Sequence, residues 1–104
     1  QVTVTDAGTY EIYGFVGITG TQGNYRYAGE TAISVNGATP TTFTGIISGY
    51  IRATSGHNEN TLNVMDTVVL SANDTIDIMA RRDSTTSGDA TTTVTSRIAI
   101  RRVK

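Results

Sequence analysis

One histidine, His57, lies in the polar run Ser55-Gly56-His57-Asn58-Glu59-Asn60. An imidazole titrates near neutrality and can move a proton, but acid–base catalysis also needs a nucleophile and an orienting acid within hydrogen-bond reach. No motif in the chain supplies those partners, so His57 reads as a solvated loop residue. The aspartates gather loosely, with Asp66, Asp74 and Asp77 in one stretch and Asp83 and Asp89 in the next. Calcium takes about six to eight oxygen ligands, and no EF-hand spacing occurs here. The plainer reading gives Asp74 a turn and Asp77 a solvated strand face. The absence of cysteine removes disulfides, thiolate nucleophiles and thiolate metal sites. The glycine-containing stretch 17–23 carries no lysine and no following helix, so it is not a phosphate cradle. The expectation is a non-enzyme with no catalytic, cofactor-binding or metal-binding residue.

Chemistry of contact has better candidates. Tyr25 and Tyr27 flank Arg26 beside a polar turn. Exposed aromatics next to a charge suit carbohydrate or protein recognition; the alternative is that Tyr25 and Tyr27 form one buried strand face. The other basic residues fall late, at Arg81, Arg82, Arg97, Arg101, Arg102 and Lys104, with Arg52 between. Arg97 and Arg101 share one strand face. They could meet an acidic partner such as a phosphorylated glycan, or pair with Asp77 and Glu11 across neighbouring strands, the commoner outcome. Aromatics do not interleave with these arginines, and the formal net charge is −1. Neither nucleic acid nor an anionic membrane is therefore an expected partner.

The elements that must hold these residues are strands. Threonine fills about a fifth of the 104 positions, and it joins valine, isoleucine and tyrosine in favouring a pleated surface. No window keeps apolar spacing at i, i+3 and i+4. Period two recurs instead: Tyr10, Ile12, Gly14, Val16 and Ile18 share one face, and Glu11, Tyr13, Phe15 and Gly17 the other. Thr31, Ile33 and Val35 alternate with Ala32 and Ser34 before an Asn36-Gly37 turn. Further strands are expected at 46–53, at 62–70 with a break at Asp66, at 75–81, and at 91–103 with Val94, Ile98 and Ile100 inward. Residues 2–4 suit a short first strand. Seven or eight short strands at about 10-residue spacing describe an antiparallel sandwich or barrel in a single domain, 1–104. No apolar run approaches the roughly 20 residues of a membrane span. The opening residue, Gln1, suggests an excised or processed piece of a longer chain. If one face of the 10–18 strand fills the core, Tyr13 and Phe15 stand on the other face as interface candidates; the alternative is that both faces are covered within one sandwich.

Three segments carry a family resemblance. Gly8-Thr9-Tyr10-Glu11-Ile12 resembles the central strand of the tumour necrosis factor and complement globular-head (complement 1q-like) superfamily. Ile33-Ser34-Val35-Asn36-Gly37 resembles its strand ending in an Asn-Gly turn. Leu70-Ser71-Ala72-Asn73-Asp74-Thr75-Ile76-Asp77-Ile78 resembles its loop and strand, with Asn73-Asp74 where the family has Gly-Asp. The likeness spans residues 5–103. The chain departs from the family in having fewer than ten residues before the central strand, and in ending on 97–102 without the aromatic-Gly segment of many members. The resemblance implies a jelly-roll fold and a tight homotrimer, as in heads of viral and bacteriophage fibres or capsid decoration proteins. It further implies a C-terminal head that binds a host glycan or protein receptor at the virion surface or outside the cell. The competing reading is a monomeric carbohydrate-binding module appended to a larger protein.

Overall fold

Tyr10, Ile12, Gly14, Val16 and Ile18 are all buried, while Glu11 and Tyr13 between them are exposed. Such alternation belongs to a strand covered on one side. In the computed structural model this strand is the centre of one of two antiparallel sheets. The structure describes residues 1–20, 26–41, 43, 49–52, 58–82 and 90–104, with 91–95 described as backbone. Among these the strands are β1 (Val2–Thr3), β2 (Gly8–Gly20), β3 (Tyr27–Val35), β4 (Gly49–Ile51), β5 (Glu59–Leu70), β6 (Thr75–Arg82) and β7 (Ala90–Arg102).

A four-stranded sheet runs in the order β1-β6-β3-β4, and a three-stranded sheet runs β5-β2-β7. Every pairing is antiparallel. The chain changes sheet at each connection except β3 to β4. This is an all-β antiparallel sandwich, as the period-two pattern indicates. Several expected boundaries differ, β3 and β5 starting earlier, at Tyr27 and Glu59. β5 runs unbroken through Asp66, which pairs with Ile12; a long ladder with β2 carries the charged residue, and Asp66 Oδ1 accepts the Thr67 N–H at 2.8 Å. Of the strand expected at 46–53, Gly49–Ile51 is strand and Arg52 lies beyond it, while 46–48 and 53 lie outside the described residues.

The core divides along the strand direction. Val4, Tyr10, Ile12, Leu70 and Ile76 pack at one end, and Val16, Ile18, Tyr27, Ile51 and Leu62 at the other. Thr31, fully buried, joins the sheets by donating its hydroxyl to the Asn63 carbonyl at 2.8 Å. The first end is tied by turns. Asn36 and Gly37 take φ of 53° and 73°, the pair of left-handed residues that a tight hairpin-type turn needs, and the Ala38 N–H bonds the Val35 carbonyl at 3.1 Å. Asn36 Nδ2 donates to Asp74 Oδ1 at 2.8 Å, and the Ser71 N–H donates to Asp74 Oδ2 at 2.7 Å. These bonds to the charged form hold the Asp74 carboxyl below its ordinary 3.8. The C-terminus closes onto this same pole, where the Thr9 N–H bonds the Lys104 carbonyl, and Val4 bonds the turn at Asn73 and Asp74, from which the chain start runs back along β6 to bring Gln1 to Asp77.

Candidate functional site

The two outer faces of the sandwich are treated differently. Over the four-stranded sheet lie described residues of the β3–β4 connection, Ala38 and Phe43 among them. Ser34 donates to the Ala38 carbonyl at 2.8 Å, and the Phe43 ring sits 4.0 Å from the Arg81 guanidinium. Arg81 in turn pairs with Glu30 at 2.7 Å. Ala28, Ala32 and Ser34, which share this outer side of β3, are buried.

Among the described residues, nothing covers the outer face of the β5-β2-β7 sheet in the same way. The registers place Tyr13 between Met65 and Ala99, Glu11 between Thr67 and Arg101, Phe15 between Asn63 and Arg97, and Val69 beside Thr9. Met65 is 76% exposed, Val69 80% and Tyr13 46%. Tyr13 donates its hydroxyl to Asn63 Oδ1 at 3.2 Å, which holds the ring across β5. Phe15 is half-buried one pair further along. Glu11 and Arg101 form an exposed ion pair at 2.6 Å, the cross-strand pairing expected from sequence. Asp77 is engaged by Gln1 instead of an arginine. The resulting depression, about 660 Å³, has Tyr13, Met65 and Ala99 on its floor and Glu11, Thr67 and Arg101 at one side.

Met65 and Val69 were not singled out by sequence reading. Their signal was present in the alternation of Met65, Thr67 and Val69 against Leu62, Val64 and Leu70, but a break assumed at Asp66 hides it. The loop candidates separate. Tyr27 is buried against Val16, Ile18, Ile51 and Leu62, so its ring forms a buried strand face. Burial pushes its hydroxyl up from 10.0, with the Arg82 charge pulling the other way. Arg26 is exposed, and Tyr25 lies outside the described residues. So do His57, Asp83 and Asp89. Asp66, Asp74 and Asp77 do not converge, and no group of three metal-ligating side chains occurs among the described residues. No helix of the described chain is long and apolar enough to cross a membrane. Ile98 and Ile100 pack toward the first-end core as expected, while the Val94 side chain is outside the description. No family model and no curated protein matches the sequence.

Proposed function

We propose that this chain is a non-enzymatic contact domain, the head of a homotrimer that meets its partner at a surface, as in viral and bacteriophage fibre or capsid decoration proteins. The carrying observation is the outer face of the β5-β2-β7 sheet, uncovered among the described residues, where Met65 and Tyr13 stand exposed on one side of the Thr67–Glu11–Arg101 row and Val69 on the other. Contiguous exposed apolar side chains rimmed by charge mark protein interfaces. Among the described residues the opposite outer face is met by Ala38 and Phe43 of the β3–β4 connection, and the β5-β2-β7 face is the uncovered one. The two-sheet antiparallel sandwich is compatible with the resemblance to the tumour necrosis factor and complement superfamily, whose members suggest three-fold association. The Glu11–Arg101 pair beside the apolar rows gives the face both charges, which suits contact with a copy of itself.

Sedimentation equilibrium at micromolar concentration tests this. The expected mass is three times the 11.0 kDa protomer. Met65→Lys and Val69→Lys alter side chains already in water, so each leaves the protomer folded by circular dichroism and shifts the mass to that of a monomer. A wild-type chain that stays monomeric at high concentration overturns the proposal.

A further inference from the structure

Four arginines of this chain have partners where they stand. Arg81 holds Glu30 and lies over Phe43, Arg101 holds Glu11, Arg102 donates to the Ala7 carbonyl at 2.7 Å, and Arg82 also has a partner. Arg26, Arg52 and Arg97 differ: all three are exposed, and among the described residues none makes a side-chain ion pair or hydrogen bond. Arg97 lies within β7, whereas Arg26 and Arg52 come at the same end of one ladder. The β3–β4 register pairs Tyr27 with Ile51 and Ala28 with Tyr50. Arg26 and Arg52 lie one residue beyond the Tyr27–Ile51 pair, outside the strands, where continuing the register would bring them opposite each other on the side of the sheet that carries Tyr50. Directly opposed residues have Cβ atoms about 4.5–5.5 Å apart, and like charges so placed repel. Two guanidiniums at one ladder end, paired with no acid among the described residues, are an arrangement an anion would relieve.

The surroundings suit a ligand larger than a bare ion. Tyr50 is 47% exposed on the same side, one pair inward. Its backbone is fixed, because Asn60 Nδ2 donates to the Tyr50 carbonyl at 2.8 Å and Asn60 Oδ1 accepts the Thr61 N–H at 2.8 Å. Ile51 beneath is fully buried, and Tyr27 opposite it is in the core. The two arginines therefore extend from an anchored ladder end.

We propose that Arg26, Arg52 and Tyr50 form a subsite for an acidic sugar, the arginines gripping its carboxylate or sulfate and the Tyr50 ring meeting the sugar's apolar face. Guanidinium forks match the spacing of oxyanion oxygens and form charge-assisted hydrogen bonds to them. An aromatic ring with a polar tip suits a half-wet saccharide surface. This rests on the reading of the chain as a contact head, and gives that head a ligand class at the pole away from the C-terminus.

The test titrates the 104-residue chain with sialyllactose, sulfated lactose, lactose and inorganic sulfate, following backbone amides by NMR. Shifts at residues 26–28 and 50–52 with an acidic sugar, and none with lactose, are expected; the stronger of the two acidic sugars identifies the anion. Arg26→Ala and Arg52→Ala should each weaken binding about tenfold, the size of a lost charge-assisted hydrogen bond, and the double variant should abolish it. Tyr50→Ala should weaken the sugar and leave inorganic sulfate unchanged. The idea fails if neither acidic sugar moves those amides, if lactose binds equally, if inorganic sulfate binds as tightly as the sulfated sugar, or if the double variant still binds. Sedimentation of the same samples reports the trimer separately, so failure of one reading is distinct from failure of the other.

Discussion

A methyl group added at Gly29 has nowhere to go. Its Cβ would stand 2.5 Å from Leu62 Cδ1 and 2.7 Å from Cδ2. Leu62 is fully buried among Val16, Ile18, Tyr27 and Ile51, so it cannot turn aside without displacing another core residue. Overpacking of this kind costs about 1–3 kcal/mol. Replacing glycine in a strand returns about 0.5–1 kcal/mol through the unfolded chain. Gly29→Ala should therefore lose about 1–2 kcal/mol net. Leu62→Val, which shortens the side chain that is struck, should cost about 1 kcal/mol alone. Together the two should cost less than their sum by about 1 kcal/mol, because the second makes room for the first. Urea unfolding followed by circular dichroism measures all four corners of this cycle, in a Met65→Lys background so that association does not enter. If Gly29→Ala is neutral, or the cycle is additive within about 0.3 kcal/mol, the account of how the two sheets meet at this point is wrong.

Other perturbations probe the tie between the sheets and the charged turns. Thr31→Val keeps the shape but leaves the Asn63 carbonyl without its inter-sheet donor, and should cost about 1–3 kcal/mol in urea, with Thr31→Ser recovering part of the loss. Asp74 has a depressed folded pKa, so its contribution is present above the unfolded value near 3.8 and is lost as pH falls through the folded value. In Asp74→Asn the fall in stability on acidification below that point should become shallower; an unchanged slope would contradict the turn network. Tyr27 is raised above 10.0, so its contribution is complete below that pH and is lost as pH rises through the folded value. Tyr27→Phe should accordingly flatten the alkaline loss of stability in the same measurement.

The face-to-face alternation of β2 was legible because one side of that strand meets the core and the other meets water, which leaves period two in the sequence. The Asn36-Gly37 turn was legible because two successive left-handed residues restrict the chain to few side chains. Asp66 misled because a charge at an inward position looks like a strand end when the partner strand is not in view. Tyr27 was undecidable from its neighbours; only the pairing with Ile51 and the covering residues of β2 and β5 place it in the core. Met65 and Val69 gain meaning from what fails to cover them, a property of sheet assembly and not of local pattern. The opposition of Arg26 and Arg52 depends on the β3–β4 register, which joins residues far apart in the chain.

The C-terminus closes onto the pole of the Asn36 and Asp74 turns, and Arg26 and Arg52 lie at the other end of the strands in a molecule 46 Å long. A strand of 13 residues spans about 43 Å, so the long axis is the strand direction. A pull between the C-terminus, in the β5-β2-β7 sheet, and a ligand held at the far pole of the other sheet therefore runs parallel to the strands. Load applied in that direction shears many backbone hydrogen bonds at once, whereas a sideways pull would open them one after another. The same arrangement that separates the C-terminus from the arginines also makes the sandwich mechanically stiff in the direction along which a grip at that pole would be strained.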